Sequence, residues 1–120
     1  MAINGAHVLL YTSEPEAVRE LLRDVFGWPN VDAGGGWLIF GLPPAELGVH
    51  PAEGPMYEGG TQHQFSLMCD DIVATVTDLR AKGVEVRGEP QEERWGLATT
   101  IVLPGGLDVM LYQPRHPTAT

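Results

Sequence analysis

The sequence predicts an α+β fold of two βαβββ modules, whose strands form a curled mixed sheet with the helices on its outer face. Two observations support this prediction. In each half of the 120-residue chain, a short apolar run typical of a strand precedes a segment with helical spacing of apolar residues and a terminal glycine. The strand-like segments after the second helix also have counterparts after the first. An internal duplication is the simplest explanation.

The first module is predicted over about residues 1–52. Its opening strand is AHVLLYT (6–12), and the next residues include Ser13, which can cap a helix, and Pro15, which can begin one. The helix that follows ends at Gly27. Its apolar residues have the i, i+3, i+4, i+7, i+8 spacing of one helix face, so this face is expected to pack on a sheet: Val18, Leu21, Leu22, Val25 and Phe26.

Two short strands joined by a turn are predicted to complete the first module. The run WLIF (37–40) follows three glycines, and AELGVH (45–50) follows a pair of prolines. The stretch that comes next is rich in glycine, proline and glutamate, and it is predicted to be a linker at about 53–61. The chain is therefore expected to be one domain of two modules.

The second module is predicted over about residues 62–114, with a tail at 115–120. It repeats the order of the first: strand, helix, then three strands, predicted at 63–69, 70–83, 84–88, 97–103 and 107–114. Since the helices of such a unit cover one face of the strands, the opposite face is left free to line a cavity for a small molecule.

The last strands of the two modules align without gaps. Residues 44–50 fall on residues 106–112, which pairs Glu46 with Asp108, Gly48 with Met110, and His50 with Tyr112: three equivalent pairs. Side chains alternate between the two faces of a strand, so all six positions are expected on the cavity face.

Composition excludes several classes of partner. The chain has 16 acidic and 7 basic residues and a formal net charge of −9, which opposes binding to a nucleic-acid backbone. It has no apolar stretch near the roughly 20 residues that span a bilayer. The single cysteine, Cys69, can form no internal disulfide. A cytoplasmic protein with no nucleic-acid or membrane partner is therefore expected.

Three motifs then point to a known family. They are DDI at the start of the second helix, Trp95-Gly96 before a strand, and the ending that runs from LPGG to LYQP. Together with the duplication, the chain resembles the vicinal oxygen chelate superfamily (glyoxalase, bleomycin resistance and extradiol dioxygenase proteins) over essentially its whole length. The resemblance implies a single-domain, two-module member that forms a homodimer.

The resemblance also implies positions for metal ligands. Metal-using members place one ligand near the start of each module's first strand, and this position falls on His7, seven residues before Glu14. The same count back from Asp71 falls on Gln64. His7 is equally consistent with a residue that lines the cavity and hydrogen-bonds a ligand.

The carboxylate ligands are expected near the ends of the last strands, and here the sequence departs from the family. Met110 stands where the family has glutamate, and Gly48 is its equivalent in the first module. Glu46 and Asp108 lie two residues earlier on the same strand face, a displacement of roughly 7 Å. A site of His7, Gln64, Glu46 and Asp108, holding zinc, nickel, iron or manganese, therefore requires a shifted register or a β-bulge.

Two functions stay open from the sequence. One is a metal-dependent lyase, isomerase or extradiol-type dioxygenase, in which the carboxylates of Glu46 and Asp108 move a proton. The other is a metal-free protein, resembling bleomycin-resistance members, that holds a drug or metabolite in an apolar cavity. The missing carboxylates favour binding. Both functions share a small-molecule ligand and the same predicted contact residues: Trp37, Trp95, Met110, Tyr112 and His50.

Overall fold

A computed structural model of the chain describes residues 5–49, 51–53 and 63–120, so His50 and most of the predicted linker lie outside the described residues. The elements in chain order are α1 (Pro15–Asp24), β1 (Asn30–Asp32), β2 (Leu38–Phe40), β3 (Ser66–Met68), α2 (Ile72–Ala81), β4 (Glu85–Glu93), β5 (Gly96–Leu103) and β6 (Leu107–Pro114). In the described ranges, neither helix is long and apolar enough to cross a membrane. The α+β class is confirmed.

Helix α1 begins at Pro15, whose missing N–H would have no partner in the first turn of a helix. The expected cap at Ser13 is wrong, because the N-cap residue is Glu14. The Glu14 backbone N–H instead donates to the Thr12 hydroxyl over 3.2 Å. The helix ends three residues before Gly27, and it buries Val18 and Leu22 on its predicted apolar face.

Helix α2 explains the DDI motif. The side chain of Asp71 accepts a hydrogen bond from the Ala74 backbone N–H over 3.1 Å, which satisfies a donor that the helix itself leaves unpaired. Ile72 follows it and is 0% exposed. Val76 and Leu79 continue the buried face, so the helix predicted at 70–83 is confirmed, with bounds of Ile72–Ala81.

Strands β3 to β6 form a four-stranded sheet in the order β3-β6-β5-β4. Strand β3 runs parallel to β6, and the other neighbours are antiparallel, so the sheet is mixed as expected. The first residue of β5 must be Gly96, where φ is +154° and a Cβ atom would lie 2.2 Å from the Gln113 carbonyl oxygen. This close approach is the structural reason for the Trp95-Gly96 pair.

The first module is less regular than the sequence predicts. Strands β1 and β2 pair as an antiparallel two-stranded sheet, and β1 was not anticipated. Residues 6–12 and 45–49 form no strand, although both were expected to. The apolar pattern of a segment indicates that it can join a sheet, whereas a strand forms only where a neighbour completes its backbone hydrogen bonds.

One hydrophobic core unites the two modules on the helix side of the four-stranded sheet. Along β6, Val109 and Leu111 are 2% and 3% exposed and belong to this core, whereas Asp108 is exposed on the other face. The core is formed by buried residues of both helices, of three strands and of the α2–β4 connection: Val18, Leu22, Ile72, Val76, Leu79, Val84, Val86, Ile101, Leu103, Val109 and Leu111. In the described part of the chain, both helices contribute to this core and therefore lie on the same side of the sheet.

Candidate functional site

The face of the four-stranded sheet opposite the hydrophobic core, called the open face, contains the candidate site. Cross-strand pairing places Thr100 beside Met110 and Ala98 beside Tyr112, while Arg87 pairs with Thr100 from the other side. Side chains of paired residues share a face of the sheet. The surface is hollowed by a cavity of about 260 Å³, lined by Arg87, Glu89, Gln91, Glu93, Trp95, Ala98, Thr99, Thr100 and Met110.

A bulge in β4 shapes one edge of the open face. From Arg87 to Gln91 the strand advances four residues, while its partner β5 advances only from Thr100 to Ala98. Gly88 lies inside the bulge with φ of +75°. Because the insertion adds two residues, an even number, Arg87 and Gln91 stay on the same face of the sheet.

An ion pair crosses the open face from β4 to β6. The Arg87 guanidinium donates to both carboxylate oxygens of Asp108, over 2.7 and 2.9 Å. These hydrogen bonds hold the pKa of Asp108 below its ordinary value. Both oxygens of the predicted catalytic carboxylate are thus engaged by a side chain of the same chain.

An aromatic corner, formed by Trp95, Tyr112 and His116, closes the end of the open face. The rings of Trp95 and Tyr112 meet edge to face at 5.3 Å between centroids and 85° between planes. The Tyr112 hydroxyl lies 3.4 Å from His116 Nε2, while His116 Nδ1 lies 2.8 Å from the Pro117 carbonyl oxygen. Since a carbonyl only accepts, Nδ1 carries a hydrogen, and in the neutral ring Nε2 accepts from Tyr112.

Glu46 approaches the same corner from the first module. Its Oε2 accepts a hydrogen bond from the backbone N–H of Ala119 over 2.7 Å. Burial, and secondarily the charge of the Glu46 carboxylate, raises the pKa of Tyr112. The predicted site residue Glu46 thus bonds the C-terminal tail three residues beyond His116 of the aromatic corner.

Other predicted site residues lie elsewhere. His7 and Trp37 line a second cavity of about 380 Å³ on the helix side of the sheet, called the inter-module cavity below. It is bounded by residues 6–12, α1, β2 and the helix-side residues of β3, β5 and β6. Gln64 is exposed two residues before β3. The predicted contact residue His50 lies outside the described residues.

The predicted metal ligands do not converge within one chain. Among residues 5–49, 51–53 and 63–120, no three His, Cys, Asp or Glu side chains are grouped closely enough to hold a metal ion. His7 lies on the helix side of the sheet, whereas Asp108 lies on the open face and Glu46 bonds Ala119. Within the part of the chain that the structure describes, the side chains form no metal-binding group, and the four-residue metal set stays a prediction.

Sequence reasoning missed several residues of the open face. Arg87 could have been noted, because side chains alternate along VEVRG and Arg87 therefore lies on the other face of the sheet from the buried Val86. Its pairing with Asp108, however, depends on strand register. Thr100 and Gln91 carried no signal of their own. His116 of the C-terminal tail was also missed, and the structure places it half-buried against Tyr112.

The sequence profile of the Glyoxalase/Bleomycin resistance protein/Dioxygenase superfamily matches residues 5–111, which include parts of both modules and all but the end of β6. The chain belongs to this superfamily, and the resemblance drawn from its motifs is confirmed. Among curated proteins, none matches the chain.

Several solved structures share the fold. TnmS3, an antibiotic binding protein from Streptomyces sp. CB03234, is 24% identical. The alignment covers 95% of this chain and 98% of TnmS3, with a TM-score of 0.64. Lactoylglutathione lyase from Agrobacterium tumefaciens is 20% identical, with coverages of 94% and 96% and a TM-score of 0.56. A superfamily member from Sphaerobacter thermophilus DSM 20745 is 22% identical, with coverages of 94% and 99% and a TM-score of 0.61.

Proposed function

We propose that the chain binds a small organic molecule with aromatic or apolar surface on the open face, without help from a metal ion. The observation that supports this most is the position of Met110. It stands where the resemblance expects a metal-binding glutamate, in mid-sheet between Ser66 and Thr100. A thioether is a polarisable, apolar contact that suits aromatic rings.

The neighbours of Met110 supply the other contacts that such a ligand needs. Trp95 and Tyr112 offer an aromatic wall, and the Thr100 hydroxyl and Gln91 amide offer hydrogen bonds. When the Tyr112 hydroxyl donates to neutral His116, its oxygen lone pairs face any donor group of the ligand. We expect Tyr112 to select ligands with a hydroxyl or amine at this position.

The structural neighbours do not decide between the two functions considered from the sequence. One is described as an antibiotic binding protein and another as a lyase, and at this level of identity the likeness concerns the fold. The residues of the open face favour binding, because Asp108 is paired with Arg87 and Met110 replaces a carboxylate. The alternative, a metal-dependent lyase, isomerase or dioxygenase, requires His7, Gln64, Glu46 and Asp108 to meet around zinc, nickel, iron or manganese.

Binding is tested by isothermal titration with naphthol as a neutral aromatic probe. Met110→Glu adds a charge to the floor of the hollow, so we expect at least about tenfold weaker binding, or 1.4 kcal/mol. Val73→Glu adds the same charge to an apolar residue of α2 that is 66% exposed, and it should leave binding unchanged. Equal affinities for the native protein and Met110→Glu would contradict the proposal.

The metal-dependent alternative is tested separately. The protein is purified without chelator or affinity metal, reconstituted with each candidate ion, and subjected to elemental analysis beside His7→Ala. One tightly held ion per chain, lost in His7→Ala, would overturn the metal-free proposal. Less than stoichiometric metal in both proteins is the expected result.

We further propose that the chain forms a homodimer through its first module. Among the described residues, nine of the ten large exposed hydrophobic side chains belong to this module, and Leu47 and Val49, which are 90% and 89% exposed, line neither cavity. Light scattering at micromolar concentration should give the mass of a dimer, and Leu47→Lys with Val49→Lys should shift it towards a monomer. A native monomer at this concentration would refute the dimer. The cytoplasmic location and the module boundaries stay predictions.

A further inference from the structure

We propose that the inter-module cavity is a second binding site, separate from the open face, and that it takes a small amphipathic carboxylate. The two sites lie on opposite faces of one sheet. Val109 lines the inter-module cavity, and the next residue along β6, Met110, lines the hollow of the open face. Adjacent residues of a strand point to opposite faces, so one ligand cannot occupy both sites.

The size and walls of the inter-module cavity suit a small molecule. Its volume of about 380 Å³ falls within the roughly 300–1,000 Å³ of typical ligand sites. Most of its lining is aliphatic or aromatic, with Leu22 and Phe26 from α1, Phe40 from β2, and Ile101 and Leu103 from β5. Such a lining favours an alkyl chain or an aromatic body.

The charge at the inter-module cavity indicates which head group the ligand has. Arg19 is its one permanently charged lining residue among the described residues, and no aspartate or glutamate joins it there. This bias is opposite to that of the chain, which has 16 acidic and 7 basic residues. The cavity is therefore complementary to an anion.

The geometry of Arg19 suits a carboxylate. Its guanidinium carbon lies 4.7 Å from the centroid of the Trp37 ring, so the ring supports one face of the group. A guanidinium held this way keeps its in-plane N–H groups for two parallel hydrogen bonds to a carboxylate. His7, on the wall formed by residues 6–12, adds a ring nitrogen that can also donate.

The test is isothermal titration of the full chain with decanoate and with decanol, which has the same alkyl body without the charge. Decanoate should bind to the native protein. Arg19→Ala should weaken decanoate at least about tenfold and leave decanol within about twofold, because only the carboxylate uses the guanidinium. Arg19→Lys, which keeps the charge but not the paired N–H groups, should give an intermediate decanoate affinity.

Two further variants locate the site. Leu9→Trp enlarges a cavity-lining side chain that is 60% exposed, so it should fold and exclude both ligands, with folding checked by circular dichroism. Met110→Glu should leave decanoate binding unchanged. If native protein binds no decanoate, or if Arg19→Ala and Leu9→Trp bind it normally, the inference is overturned. Loss of decanoate binding in Met110→Glu also overturns it, because that result would place decanoate on the open face. Failure of the native protein to bind naphthol, with decanoate still bound, would refute only the proposed function.

Discussion

Replacing Gly96 with alanine is expected to destabilise the fold and disturb the aromatic corner. The added Cβ atom would lie 2.2 Å from the Gln113 carbonyl oxygen and 3.2 Å from the Pro114 Cα, both in the backbone of β6. Gly96 also has φ of +154°, which L side chains rarely adopt. Backbone strain of roughly 1–3 kcal/mol adds to roughly 1–3 kcal/mol for overpacking, giving a loss of about 2–6 kcal/mol. This is a large part of the roughly 5–15 kcal/mol that stabilises a typical domain.

The assay is urea unfolding followed by circular dichroism, with Gly106→Ala as the matched control. Gly106 has φ of +72° but no atom within 4 Å of an added Cβ, so only the backbone term of roughly 1–3 kcal/mol applies. Since Trp95 precedes Gly96 and packs on Tyr112, Gly96→Ala should also weaken naphthol binding. Equal losses of stability in the two variants would refute the argument from close approach.

Three further predictions concern single side chains. Asp71→Ala removes the cap of α2 and should lower the free energy of unfolding, measured by urea titration, by about 1 kcal/mol. The control variant Asp70→Ala should have little effect. Equal effects of the two variants would contradict the assigned cap. Arg87 lowers the pKa of Asp108, so their ion pair stabilises the fold above the ordinary aspartate pKa of about 3.9, and this stabilisation is lost as pH falls through the lower pKa of the folded state. The urea midpoints of the native protein and Asp108→Asn should therefore differ at neutral pH and converge in acid. A difference that stays constant with pH would refute this prediction. Burial raises the pKa of Cys69, so its reaction with a thiol reagent at mildly alkaline pH should be slow and should accelerate in urea, and equal rates would contradict the burial.

The predictable parts of the fold are those encoded by neighbouring residues. The spacing of Val18 and Leu22, or of Ile72 and Val76, identifies a helix face whatever the helix packs against. Strand β6 was predicted with its observed bounds because alternating apolar residues follow a glycine turn. Family membership also followed from the sequence, since its motifs are local.

The candidate site was predictable only in part. Trp95, Met110 and Tyr112 were expected to face a cavity, and the structure places them around the open face. The sequence offered no means of pairing Arg87 with Asp108, because the two residues are 21 positions apart and their contact depends on the register of the strands that carry them. Cross-strand contacts of this kind are set by hydrogen bonding between strands, which local periodicity does not specify.

The sequence by itself thus determined the α+β class, both helices, the strands of the second module and the superfamily. Tertiary structure alone decided that residues 6–12 and 45–49 form no strand, that His7 lines the inter-module cavity, and that Asp108 binds Arg87. The physical reason is the range of the interactions. Helix faces and caps depend on residues within a few positions, whereas a site on a sheet depends on which distant strands pair and which face each residue then occupies.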